Sequence, residues 1–141
     1  MSNKHKIIIT DYHAYAKDIR GVRDEVFVLE QSVPVEIEHD EHDETALHAV
    51  VFAQGSAVAT GRMLDDGHIG RIAVLKSQRG KGIGKLIMLE FFQQAKERQL
   101  SKIWLSSQWH AHRFYSNLGF VCIGEKYLEA GIEHIKMTKE I

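Results

Sequence analysis

The sequence contains one cysteine, Cys122, and one proline, Pro34, among its 141 residues. A single thiol excludes an internal disulfide framework and a cysteine-based structural zinc site, and it points to a reducing, cytoplasmic compartment. Long apolar runs are also missing. After Met1 to Lys6 come only Ile7, Ile8 and Ile9, too few for the apolar stretch of a signal peptide or for a membrane span. No membrane association is therefore expected. Nor is there a basic excess: the formal net charge is -1, whereas nucleic-acid binders carry cations that displace counterions from the phosphate backbone. The basic residues lack an accompanying aromatic series for base stacking, so no nucleic-acid partner is expected.

What is present describes one soluble domain over residues 1–141, 44% hydrophobic and 26% charged, long enough to bury a core beside a ligand cleft. The charge is unevenly placed. Residues 36–44 read EIEHDEHDE, with six acids and no Lys or Arg, whereas residues 71–85 hold five bases and no acid. These runs imply two oppositely charged ligand surfaces, the acidic one on a solvated loop.

Periodicity sets the element order. Residues 7–9 read as a first strand, and Tyr15, Ile19, Val22, Val26 and Leu29 form one face of a helix that ends before Pro34. Runs at 47–53, 57–64 and 68–75, separated by Gln54-Gly55-Ser56 and Asp65-Asp66-Gly67, read as an antiparallel meander. Ile83, Ile87, Phe91 and Ala95, supported by Leu86 and Phe92, mark a helix from Gly82 to about Gln99. A strand at 102–106 follows, then a short helix carrying Ala111, Phe114, Tyr115 and Leu118 and stopped by Gly119, then strands at 120–127 and 133–138. The strand–helix–strand unit spanning 68–106 requires one parallel pair in an otherwise antiparallel sheet. Trp104 and Cys122 read as core residues within strands.

Arg79-Gly80-Lys81-Gly82-Ile83-Gly84 lies between the apolar strand end Ile72-Ala73-Val74-Leu75 and the long helix. A helix N-terminus presents unpaired N–H groups and positive dipole, so a loop stripped of side chains there lets a phosphate approach. Arg79, Lys81 and Lys85 add charge around it. The loop is not a P-loop, which would need Gly at Arg79 and Ser or Thr at Leu86. It is not a dinucleotide fingerprint either, which would need Gly at Lys85.

These residues resemble the GNAT superfamily of acyl-CoA N-acyltransferases, whose hallmark Arg/Gln-x-x-Gly-x-Gly/Ala is matched by Arg79, Gly82 and Gly84. Val26-Phe27 with Glu30-Gln31, Pro34, Leu47-His48, Ala59-Thr60-Gly61-Arg62 and Phe114-Tyr115-Ser116-Asn117-Leu118-Gly119-Phe120 extend the resemblance to the ElaA-type subgroup. It implies an α/β fold of α+β character: a mixed, mostly antiparallel seven-stranded sheet, splayed between the strands flanking the glycine-loop helix, with helices on both faces. It also implies that the backbone amides of Arg79, Gly80, Lys81, Gly82, Ile83 and Gly84 hold the pyrophosphate of acetyl-CoA. Ile72, Ala73 and Val74 would pair with the pantetheine arm, and an amide near Ala73 or Val74 would face the thioester carbonyl.

For the chemistry, Tyr115 is expected beside the coenzyme's sulfur as the acid that protonates the leaving thiolate. His110, within Gln108-x-His110, is the expected base. Glu30, Glu36, Glu38, Asp40 and Asp43 fall where the fold covers the acceptor, with Glu30, Glu36, Asp40 and Trp109 expected to bind it. His39-x-x-His42 with Asp40 and Asp43 could hold a divalent ion, but no metal is expected. The function implied is acetyl-CoA-dependent N-acetylation of a small cationic amine by direct transfer in a ternary complex. The alternative is a CoA-binding sensor on the same fold, and a homodimer is compatible with either.

Overall fold

The computed structural model describes residues 5–141, so the opening Met1 to Lys4 lies outside the described residues. Strands β1 (His5–Thr10), β2 (Leu47–Ala53), β3 (Ser56–Met63) and β4 (Ile69–Val74) pair antiparallel in chain order. Gln54 and Gly55 turn β2 into β3 with φ of 54° and 84°, the left-handed pair that matches the twist of a hairpin. Strands β5 (Lys102–Gln108), β6 (Val121–Glu129) and β7 (Ile132–Glu140) form a second antiparallel sheet in the order β5-β7-β6.

The two sheets touch through one parallel bridge, His68 to Trp104, where the Trp104 N–H donates to the Gly67 carbonyl at 3.0 Å. A Cβ on Gly67 would stand 2.7 Å from the Lys102 carbonyl oxygen, so this close approach of β5 needs glycine. Beyond the bridge β4 and β5 diverge, and the edges they turn toward each other have no strand partner among the described residues. The parallel pair required by the strand–helix–strand unit is reduced to this one bridge, and the splay that the family resemblance implied is present.

Helix α1 (Ala16–Arg23) and the helical turns that follow it cover one face of the first sheet, packing Val22 and Val26 on Ala73. Helix α3 (Ile83–Glu97) covers the other, burying Ile87, Met88, Phe91 and Ala95 against Ala49, Val51 and Ala59. Gly61 admits α3, because a Cβ there would lie 2.5 Å from Ile72 Cδ1 and 3.2 Å from Phe91 Cε2. Full burial of side chains such as Phe91 and Ile87 stabilises the fold by roughly 1.5–3 kcal/mol each. The short helices α2 (Val35–Glu38) and α4 (His112–Ser116) flank the splay. No helix among the described residues is long and apolar enough to cross a membrane.

Three expectations are corrected. The first helix continues past α1 as a π-helix over Asp24–Glu30. Its wider turn rotates Leu29 off the apolar face, leaving it 76% exposed, and Phe27 packs beside Val22 and Val26 instead. Cys122 is exposed because the whole of β6 is an exposed edge strand. The acidic run is no solvated loop, since Glu38 and Asp43 are buried.

Candidate active site

The splay opens a cleft of about 510 Å³ between β4 and β5. Ile69 to Ile72 form one wall and Leu105 to Gln108 the other, Phe27, Gln31 and Ile37 come from the α1–α2 side, and Tyr115, Glu129 and His134 close the remainder. Gln108 donates to Gln31 at 3.1 Å across it.

Ile72 is the last β4 residue to line the cleft; Ala73, Val74 and the glycine loop at 79–84 lie outside the lining, further along the chain where the loop leads into α3. Gly80 and Gly82 have φ of 79° and 81°, a conformation costing a side-chain-bearing residue about 1–2 kcal/mol. Nothing lies within 4 Å of where their Cβ atoms would be, which leaves the backbone open to a ligand. The first intrahelical bond is Leu86 N–H to the Gly82 carbonyl at 3.0 Å, so the amides of Ile83, Gly84 and Lys85 precede any helical acceptor. Ile83 is buried as the anchor, and Gly84 lies against Phe114 of α4. Arg79 turns away from the loop: its Nε donates to the Val74 carbonyl at 2.9 Å, and its two terminal nitrogens grip Glu30 at 2.6 and 2.7 Å. An open run of amides beside Lys81 and Lys85 fits a diphosphate.

Midway along the cleft, β4 carries an extra residue. Thr60 pairs with Ala73 and Arg62 with Gly70, leaving a bulge at Arg71, whose φ is 53°. The bulge sends the Arg71 side chain toward the acidic segment, where it meets Glu38 at 3.0 Å and Asp40 at 3.2 Å. Arg23 holds Glu38 at 3.0 Å and Asp43 at 2.7 Å, and Arg62 holds Asp40 at 2.7 Å and Asp43 at 2.8 Å. Three arginines thus neutralise three of the six acids. Burial opposes ionisation of Asp40, yet the Arg62 hydrogen bonds and the Arg62 and Arg71 charges hold its carboxyl at about 2. Asp43 is likewise lowered, its burial outweighed by Arg23 and Arg62.

This network corrects the assignment of the acidic run to the acceptor. Asp40 and Glu38 are fixed in ion pairs, Glu30 is the partner of Arg79, and Glu36 is exposed outside the cleft lining. Asp24, Glu38 and His39 come within 4.8 Å of one another, but Glu38 is bound by Arg23 and Arg71 and His39 Nε2 lies 2.7 Å from Asp24. His42, the other histidine of the His39-x-x-His42 spacing, is exposed on the following turn and is not part of this group.

Tyr115 does line the cleft. Phe114 and Phe120 meet its ring edge-on, and burial pushes its phenol up to about 12. Such a hydroxyl stays protonated at neutral pH, which suits it to give a proton and not to take one. His110 is exposed and outside the lining. Trp109 is also outside it, stacked on His112 at 3.8 Å beneath the Lys126 ammonium.

Two histidines that do line the cleft were not singled out by pattern. His68 lies flat on Trp104 at 3.8 Å, and burial lowers its pKa, opposed by Asp66 and Glu129 and aided by Arg62 and Arg71. His134 of β7 is 7% exposed, with Nδ1 2.8 Å from the Ile132 carbonyl oxygen. For His134 strand alternation was the available signal: Ile135 and Met137 point into the core, which places His134 on the opposite face.

A sheet opened between two parallel strands, with a phosphate-ready loop heading the intervening helix, is the architecture of an acyl-CoA N-acyltransferase. Residues 10–141 match the Acetyltransferase (GNAT) domain family. The chain is 39% identical over 139 residues to YjcF of Bacillus subtilis (strain 168), described as an uncharacterized N-acetyltransferase, covering 96% of this chain and 99% of that one. It is 32% identical over 124 residues to ElaA of Escherichia coli (strain K12), covering 82% and 81%. A crystal structure of an acyl-CoA N-acyltransferase from Pseudomonas aeruginosa is similar at a TM-score of 0.87 and 30% identity, covering 96% of this chain and 99% of that one. The chain belongs to the GNAT acetyltransferases, in the ElaA-type group, and is an acyltransferase.

Proposed function

We propose that the enzyme transfers the acetyl group of acetyl-CoA directly to the amino group of a small cationic acceptor, both substrates being bound at once. The observation that carries this reading is that one cleft meets both the open edge of β4 on the donor side and a polar mouth on the other. Bound acetyl-CoA supplies an activated thioester. The amides of residues 79–84 hold its diphosphate, and the edge of β4 at Ile72, Ala73 and Val74, which has no strand partner among the described residues although the Val74 carbonyl accepts from Arg79, hydrogen-bonds to the amide-rich arm. An amide of Ala73 or Val74 donates to the carbonyl oxygen as charge develops there. Tyr115 delivers its proton to the departing sulfur. A covalent relay through cysteine is not part of this reading, since Cys122 sits exposed on β6 and does not line the cleft.

Preference for a cationic acceptor rests on Glu129. It lines the mouth without an ion-pair partner among the described residues, unlike Glu38 and Asp40. The test is thiol release from acetyl-CoA with cationic, neutral and anionic amines. Turnover with the cationic group supports the reading, and turnover confined to anionic acceptors contradicts the acceptor class. Acetyl-CoA binding without transfer to any amine would leave the sensor alternative.

A further inference from the structure

His134 is a buried, titratable side chain for which the proton path described so far has no use. On β7 it pairs with Gln108 of β5 and Tyr127 of β6, and the Tyr127 ring stacks over it at 6.0 Å. Alternation puts it on the sheet face away from α3, with Ser106 and Gln108, in the wall of the cleft. The 2.8 Å contact between Nδ1 and the Ile132 carbonyl oxygen fixes the tautomer, because a carbonyl can only accept. Nδ1 therefore carries the hydrogen and Nε2 keeps its lone pair. No described residue donates to Nε2.

Building on the N-acetylation reading, we propose that His134 is the general base, accepting the acceptor amine's proton at Nε2. As the neutral amine nitrogen bonds to the thioester carbonyl carbon, its N–H proton passes to Nε2. The carbon–sulfur bond breaks and the sulfur takes the Tyr115 proton. The imidazolium then loses its proton to solvent and the tyrosinate regains one, which restores both groups. On the neighbouring strands Tyr127 and Gln108 pair with His134, Glu129 lines the same cleft near the β6–β7 turn, and Lys126 on β6 lies over Trp109 and near Glu133. The other charged or titratable groups of the cleft are His68, Glu38, Arg62, Arg71 and Tyr115. Of these, Arg62, Arg71 and Glu38 are already held in the ion pairs of the acidic segment.

A pair of substitutions separates this role from a structural one. Asparagine can keep the donor that reaches the Ile132 carbonyl but offers no base at the Nε2 position. His134→Asn is expected to bind acetyl-CoA as the wild type does, with kcat about 100-fold lower. The wild-type to variant ratio of kcat/KM should fall toward one as acid protonates the imidazole, a change that loss of a structural bond alone would not produce. Wild-type-like turnover in His134→Asn, or a ratio flat with pH, overturns the proposal while leaving acetyl transfer intact. Failure of the wild type to acetylate any amine would instead overturn the underlying reading. If His134→Asn does not fold, nitrogen-15 spectra of wild-type histidines decide. A ring with a protonated Nδ1 whose Nε2 signal moves when CoA and an amine are added together supports the role, and the absence of such a signal overturns it.

Discussion

The acidic segment at 36–44 and the glycine loop at 79–84 are both conspicuous charged stretches, and the fold puts them to opposite uses. The first directs its central carboxylates inward, onto Arg23, Arg62 and Arg71, and becomes a strap tied across the α1 side of the first sheet. The second turns its one paired cation, Arg79, back onto Glu30 and leaves its amides facing outward. A run of charge marks a ligand surface only when the rest of the chain does not supply its counter-ions. Here the counter-ions came from strand and helix positions far along the sequence.

The largest effect should follow from breaking the strap. Arg23→Ala leaves Glu38 and Asp43 without a main partner while still buried, and chemical denaturation should show a loss of about 3–5 kcal/mol. A loss under about 1 kcal/mol would mean that the segment is solvated after all.

Chemistry comes next. Tyr115→Phe should lower kcat about 100-fold with little change in acetyl-CoA affinity, measured by steady-state thiol release. An unchanged kcat would remove Tyr115 from the proton path. At the loop, Gly82→Val forces a branched side chain into a φ of 81°. Calorimetry should then find acetyl-CoA bound at least about tenfold more weakly, or about 1.4 kcal/mol, and unaltered affinity would show that the loop backbone does not contact the ligand.

The strap also sets a pH response. The Asp40 carboxyl titrates at about 2 when folded against 3.8 ordinarily, so its contribution is fully present above pH 4 and fades as acid takes it through the folded value. Thermal melts should therefore show stability declining from about pH 4 downward, with a smaller decline in Asp40→Asn. The smallest change is expected for Glu30→Gln. Its bond to Arg79 is exposed, and such pairs contribute about 0.2–1 kcal/mol, so KM for acetyl-CoA should shift less than about fivefold.

Much of the fold was legible because periodicity and turn chemistry agreed: the meander around Gln54-Gly55, the α3 stripe through Ile83, Ile87 and Phe91, and the crossover that makes β4 and β5 parallel, while the splay between them came only from the family resemblance. The glycine loop was legible for the same reason. Leu29 was misjudged because a π-helical stretch breaks the 3.6-residue period without any composition cue. The acceptor side was misread because ion pairing is a long-range property: Arg62 and Arg71 look like ordinary strand residues until β3 and β4 carry them beneath residues 38–43. His110 lay near the expected motif but falls outside the cleft, whereas His134 gave only strand alternation to distinguish it.

The central claim is that the glycine loop holds the diphosphate of an acyl-CoA whose thioester enters the splay. Calorimetric titration with acetyl-CoA and with acetyl-pantetheine, which lacks the diphosphate and nucleotide, tests it most directly. Micromolar binding of acetyl-CoA with at least about 100-fold weaker binding of acetyl-pantetheine, a difference of about 2.7 kcal/mol, is the predicted result. Equal binding of the two, or no binding of acetyl-CoA, would contradict it.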